Sequence, residues 1–310
     1  MFSVIFPGQG SQMVGMGKDL YLKFPIVKNL FKEADEILKF PISKLILEGP
    51  KDELNLTENT QPAIFLIGYS IFNLCKKEFN IDLNKAKFFA GHSLGEYTAL
   101  ALAECLSFEE TLKILKKRGN AMQSAVPKGE GGMLAILGSD LIKIEKIIEE
   151  NKNNYECFIA NDNSDGQVVA SGKIDDIEKF ALDLKSSNIK NIKLPVSAPF
   201  HCRLMKKATE IMNKEIENLE FKNPKNILIS NVTGKEISDP ILIKDLLIKQ
   251  IESRVRWRES VLLMMEKGID KFIEIGPGKV LSGLIKRANK TVKVSAINTE
   301  EDIKLININD

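Results

Sequence analysis

The pentapeptide Gly91-His92-Ser93-Leu94-Gly95 constrains this chain more than any other feature. It fits the pattern G-x-S-x-G. An apolar run, Phe88-Phe89-Ala90, precedes it, and a helix-forming run from Glu96 to Leu102 follows. Strand, sharp turn and helix together are the setting of a nucleophile elbow. Such a turn is strained and crowded, so a Cβ at either glycine would clash. Ser93 then sits at a helix N-terminus, where the amide of Leu94 can face a developing oxyanion. A Gly-rich turn with a capping serine reads from the same five residues, but the flanking runs favour the nucleophile.

Around the elbow, strands and helices alternate, which implies an α/β fold. Ser3–Phe6 reads as a short buried strand and Lys87–Ala90 as another. A long helix is expected from about Gln61 to Phe79, with Pro62 near its first turn, and a further helix over Ser93–Ala103. Ser107-Phe108-Glu109-Glu110 has capping-box spacing and opens a helix to about Ala125. Between Pro127 and Pro195 the order becomes β-α-β-β-α-β. The strands lie at 133–137, 157–160, 168–171 and 189–194, and the helices at 141–151 and 174–186. That order is ferredoxin-like. It suggests a small domain, 127–195, inserted into a larger α/β domain formed by 1–126 and 196–310. The larger domain resumes with helices near 201–218, 241–251 and 256–267. Strands follow near 227–229 and 271–275, and then a helix after Gly276-Pro277-Gly278.

Bulk properties exclude several classes. Formal net charge is only +2, from 44 basic and 42 acidic residues, so there is no bulk case for nucleic acid or membrane binding. No run approaches the ~18 apolar residues of a spanning helix. Met1–Phe6 lacks the basic and long apolar regions of a signal peptide. Cys75, Cys105, Cys157 and Cys202 lie far apart without a C-x-x-C. That spacing argues against a metal site or disulfide framework and fits a reducing cytosol. The expectation is a cytoplasmic monomer with no metal and no resident cofactor.

A nucleophilic serine needs a base. The chain has two histidines. His92 lies inside the elbow and should point away from Ser93. His201, in Val196-Ser197-Ala198-Pro199-Phe200-His201-Cys202, remains. Taken alone, a histidine near a helix start is more often a surface or capping residue. As the only other partner for an elbow serine it is the candidate base. No carboxylate to orient it stands out: Asp162, Asp165, Asp175, Asp176 and Asp183 lie between, without a motif. Near the N-terminus, Gly8 and Gly10 hint at a dinucleotide loop, but Met13 stands where the third glycine should be, and that reading fails. A Gly-rich loop beside an elbow can instead supply a second oxyanion N–H, and an ordinary tight turn reads from the same residues equally well.

The set Phe6-Pro7-Gly8-Gln9-Gly10-Ser11-Gln12, Gly91-His92-Ser93-Leu94-Gly95-Glu96, Arg118-Gly119 with Met122-Gln123, Gly166-Gln167-Val168-Val169 and Phe200-His201 resembles the malonyl-CoA:acyl carrier protein transacylases of fatty acid synthesis. The likeness runs nearly end to end. It implies an α/β-hydrolase-like large domain with a ferredoxin-like insert. It also implies Ser93 as nucleophile, His201 as base, and Gln9 and Leu94 as oxyanion donors. Arg118 would hold the malonyl carboxylate, and a main-chain carbonyl near Gln250 would orient the histidine. Asn161, Asn163 and Met122 would lie near the site. Phe200 fits selection of malonyl over branched groups. Malonyl-CoA and holo-acyl carrier protein are the implied partners. The carrier is acidic in this family, and Lys206, Lys207, Lys286 and Arg287 are candidates for a basic docking patch. Pro199 departs from the small residue common there. Arg118 has its own rationale, since a guanidinium grips a carboxylate bidentately. Within Lys116-Lys117-Arg118 the residues alone favour one more solvated basic residue on a helix. A serine hydrolase, a polyketide-type acyltransferase and a nucleotide-binding module are the competing readings.

Overall fold

A computed structural model describes residues 1–196 and 198–308. The strands are β1 (Phe2–Phe6), β2 (Phe88–Gly91), β3 (Gly131–Leu137), β4 (Cys157–Ser164), β5 (Gln167–Lys173), β6 (Lys190–Lys193), β7 (Ile227–Ile229), β8 (Glu236–Ile237), β9 (Lys271–Ile275) and β10 (Lys293–Ile297). The helices are α1 (Lys18–Lys23), α2 (Pro25–Leu38), α3 (Ile42–Glu48), α4 (Lys51–Leu54), α5 (Thr57–Phe79), α6 (Leu94–Leu102), α7 (Phe108–Ser124), α8 (Leu141–Glu150), α9 (Ile174–Ser186), α10 (Lys206–Glu217), α11 (Pro240–Gln250), α12 (Trp257–Glu266), α13 (Val280–Ala288) and α14 (Glu300–Lys304).

Two sheets organise them. The larger has the order β10-β9-β1-β2-β7-β8. Its pairings are parallel apart from the β7–β8 edge. Parallel sheets are covered on both faces, so their strands read as continuous apolar runs. Here β1 and β2 are buried along their whole length, with apolar clusters packed on either face. The smaller sheet has the order β4-β5-β3-β6 and its pairings are antiparallel. With α8 and α9 it encloses its own core around Ile136, Ile144, Phe180 and Leu184. This is the ferredoxin-like order, so the fold class is the one expected: a parallel α/β unit carrying a ferredoxin-like unit.

Several local boundaries differ from expectation. The long helix begins at Thr57, which puts Pro62 inside it rather than in its first turn. The extra turn is tied down by the Asn59 and Thr60 amides on the Leu56 carbonyl. Their side chains also bond the Glu53 and Leu54 carbonyls. Ser93 caps α6 and is not its first residue. The helices of 18–54 and the strands β8 and β10 went unread in the sequence.

The two sheets are stitched together beside the elbow. Val255 bridges β4 through bonds to Ala160 and Asp162. The Asp162 carboxylate, fully buried, receives both Nε and Nη2 of Arg258. Asn163 accepts from His92 at 2.8 Å.

Candidate active site

In open parallel sheets, ligands collect beyond the C-terminal ends of the strands. The adjacent strands β1, β2 and β7 deliver three loops there, carrying Gln9, Ser93 and Asn231 respectively. Ser93 has φ 53° and ψ −110°, a strained conformation for a residue with a side chain. The flanking glycines explain how the turn closes. A Cβ on Gly91 would lie 1.9 Å from the Gly95 carbonyl carbon, and one on Gly95 would lie 2.2 Å from the Phe6 oxygen. Asn231 braces the turn from outside. Its Oδ1 accepts from the Ser93 amide and its Nδ2 donates to the Gly91 carbonyl, each at 2.7 Å.

Ser93 Oγ lies 2.8 Å from His201 Nε2. On the other side of the ring, Nδ1 lies 2.9 Å from the Gln250 main-chain oxygen. That oxygen can only accept, so Nδ1 carries the hydrogen and Nε2 is free to accept from Ser93. This fixed tautomer is what a general base needs, and no carboxylate is required to impose it. The two buried acids between Ser93 and His201 in the chain are engaged elsewhere, Asp162 by Arg258 and Glu96 by Gln250 Nε2 and the Asn231 amide. Burial, and then the positive charge of Arg118, pull the His201 pKa down to about 3, so the ring is neutral near pH 7. His201 also has φ 59°, in the left-handed region that few side chains occupy. His92 turns away, as expected, toward Asn163 and the Trp257 ring.

Arg118 is 1% exposed. The solvated reading of Lys116-Lys117-Arg118 is therefore corrected: the two lysines reach Asn59 and Glu215, while the arginine points inward from α7. Its Nη2 donates to Ser93 Oγ at 3.2 Å and to Gln250 Oε1 at 2.7 Å, and its Nη1 donates to Gln61 Oε1 at 2.8 Å. Gln250 also donates from Nε2 to the Ser93 carbonyl and to Glu96. Burial pushes the Glu96 pKa up to about 7.

A pocket of about 100 Å³ opens above these groups. It is lined by Gln9, Ser93, Leu94, Arg118, Met122, Asn161, Phe200 and His201, together with Gln61, His92, Met133, Leu194 and Val196. Among the described residues, the amides of Gln9 and Leu94 have no hydrogen-bond partner. All the expected site residues thus converge, with Asn163 one contact removed. Sequence reasoning missed Gln61, Glu96 as a buried acid, Asn231, and the side-chain role of Gln250. Ser197, part of the segment read around His201, lies outside the described residues. Among the described residues no cluster of side chains could hold a metal, and no helix is long and apolar enough to cross a membrane.

Residues 3–305 match the acyl transferase domain family. The chain is 42% identical over 303 residues to the malonyl CoA-acyl carrier protein transacylase of Bacillus subtilis, covering 97% of this chain and 94% of the relative. It superposes on the acyl-carrier-protein-S-malonyltransferase of Bartonella henselae with a TM-score of 0.95. Identity there is 41%, and 98% and 97% of the two chains are covered. A malonyl-transacylase solved with a type II polyketide acyl-carrier protein gives 0.94 at 36% identity, covering 98% and 97%. Likeness of this extent, on top of the site geometry, shows that the chain belongs to the malonyl CoA-acyl carrier protein transacylase family of enzymes.

Proposed function

We propose that this chain moves a malonyl group from malonyl-CoA to the phosphopantetheine thiol of holo-acyl carrier protein, through an ester on Ser93. The observation that carries the reading is a single oxygen with two neighbours. Ser93 Oγ is 2.8 Å from a neutral imidazole nitrogen and 3.2 Å from a buried guanidinium. The first makes the oxygen a nucleophile. The second puts a carboxylate receptor beside the acyl position.

His201 Nε2 takes the Ser93 proton as Oγ attacks the thioester carbon. The Gln250 carbonyl then faces the Nδ1–H of an imidazolium. The amide N–H groups of Gln9 and Leu94 stabilise the oxyanion, where one donor is worth on the order of 10²–10³ in rate. The C–S bond breaks and CoA leaves with the proton from His201. In the second half, His201 deprotonates the incoming thiol, which attacks the ester and returns Ser93 to its hydroxyl. Arg118 holds the distal carboxylate throughout. Phe200 and Met122 narrow the pocket against branched groups, and Asn161 lies at its wall. Asn163 acts only by fixing His92. Lys206, Lys207, Lys286 and Arg287, all exposed, suit an acidic carrier. We assign the enzyme to fatty acid synthesis in the cytoplasm as a monomer, with residues 127–195 as an inserted domain between 1–126 and 196–310.

A hydrolase would share every step except the last acceptor. The discriminating experiment isolates malonyl-enzyme and offers it holo-acyl carrier protein or buffer alone. Transfer should outrun hydrolysis by orders of magnitude. Rapid loss to water with no loading of the carrier would reject the transferase reading.

A further inference from the structure

Arg118 is a buried cation whose hydrogen bonds, among the described residues, go only to neutral oxygens: Gln61 Oε1, Gln250 Oε1 and Ser93 Oγ, with the Tyr97 ring centroid 5.3 Å from its guanidinium carbon. A buried charge without compensation is costly. The other buried acids are committed elsewhere: Asp162 pairs with Arg258, and Glu274 takes the first amides around α13. The remaining one is Glu96, 6% exposed. It does not touch the guanidinium. Its Oε2 accepts from Gln250 Nε2 at 2.5 Å and from the Asn231 amide at 3.3 Å. An ionised carboxylate can only accept, so Gln250 must turn its NH₂ toward Glu96 and its Oε1 toward Arg118. The amide is a spacer between opposite charges.

We propose that Glu96 is a specificity-determining residue, the counter-charge of Arg118, held one amide away so that the guanidinium stays available to the carboxylate of a dicarboxylic acyl group. The inference rests on the malonyl reading above. A carboxylate in direct contact would occupy the donors that the substrate needs. With no carboxylate nearby, Arg118 would be an unbalanced charge that binds the substrate's carboxylate more strongly still. Glu96 therefore tempers the preference for malonyl over neutral acyl groups, and does so without touching substrate.

The test is Glu96→Gln, which keeps the shape and an acceptor oxygen but removes the charge. Single-turnover acylation of Ser93 is measured with malonyl-CoA and with acetyl-CoA. The malonyl:acetyl ratio should rise on the order of tenfold, the scale of one charge–charge interaction across a few ångströms of protein. Glu96→Asp should keep the wild-type ratio. The effect of Glu96→Gln on the ratio should vanish in an Arg118→Ala background. An unchanged ratio, with both rates reduced alike, would make Glu96 merely structural and overturn the inference. A falling ratio would overturn it too, since it would mean that Glu96 acts by holding Arg118 in place. If Glu96→Gln does not fold, the wild-type ratio between pH 8 and pH 6 carries the same information. The ionisable groups around Glu96 are Arg118 on α7, Tyr97 on α6, and the histidines His92 and His201. Burial pushes Tyr97 up to about 12, His201 falls to about 3, and burial also lowers His92. Arg118 stays protonated. Burial holds the Glu96 carboxyl near 7, so it gains its proton across that window and the ratio should rise toward pH 6; a flat ratio contradicts the proposal. Absence of any malonyl adduct on the wild-type enzyme would instead reject the malonyl reading itself.

Discussion

Replacing Arg118 by alanine should separate two substrates that differ only by a carboxylate. In the structure the guanidinium is 1% exposed and its Nη2 lies 3.2 Å from the nucleophilic oxygen. A malonyl carboxylate held there would receive two charge-assisted hydrogen bonds, each worth about 1.5–3 kcal/mol. Losing both costs about 3–6 kcal/mol, which is on the order of 10²–10⁴ in kcat/KM. Acetyl-CoA has no such group and loses only the contact to Ser93 Oγ, so its rate should fall by about tenfold or less. Stability must be followed in parallel. Gln61 Oε1 and Gln250 Oε1 would each lose a buried donor, at about 1–3 kcal/mol apiece. Quenched single-turnover acylation, read by intact mass and normalised to folded protein, isolates the chemical effect. Arg118→Lys should fall between wild type and alanine, because a point charge replaces a fork. Equal losses for malonyl and acetyl would refute the carboxylate clamp.

Further outcomes follow from the same geometry. The His201 pKa is depressed, so the neutral form that accepts the serine proton persists far below the usual value near 6.5; acetylation of Ser93 should stay level from pH 8 to below pH 6, and an acid limb at the ordinary histidine pKa would show that the buried ring is less shielded. Gly95→Ala would press a Cβ against the Phe6 carbonyl at 2.2 Å; it should lower the urea midpoint sharply or prevent folding, and a well-folded active variant would contradict the packing of the elbow. Arg258→Met would strand the fully buried Asp162 carboxylate; the loss should be about 3–5 kcal/mol in urea denaturation, and a change under about 1 kcal/mol would mean that the seam between the sheets does not depend on this pair.

How much could be read from the chain differs from residue to residue for physical reasons. The elbow is local: two glycines, a serine and flanking apolar runs fix strand, turn and helix within about fifteen residues. His201 was accessible because histidines are scarce here, not because its surroundings announce a base. The orienting group on His201 is a main-chain carbonyl, which every residue has, so Gln250 came only through family resemblance. Arg118 looked like its lysine neighbours, and only the rotation of α7 tells them apart. Glu96, Gln61 and Asn231 are ordinary polar residues until the fold brings α5, α6, α7, α11 and the turn after β7 together. Among the secondary elements, α1, α3 and α4 are short and lack a side-chain cap at their N-termini. The strand β8 has two residues, and β10 has an exposed or half-exposed face over most of its length. Pro62 pulled the expected start of α5 too far along because a proline usually marks the first turn, whereas side chains of Asn59 and Thr60 secure an earlier one.

Every step of the proposed chemistry requires Ser93 to become an ester because a neutral His201 stands 2.8 Å away. Intact-mass spectrometry after mixing with malonyl-CoA addresses this most directly. Wild type should gain one malonyl group that maps to Ser93 and disappears when holo-acyl carrier protein is added. Ser93→Ala should gain nothing, and His201→Ala should acylate at least about 10³-fold more slowly. A stable adduct on Ser93→Ala, or wild-type turnover with no covalent species under single-turnover conditions, would contradict the account.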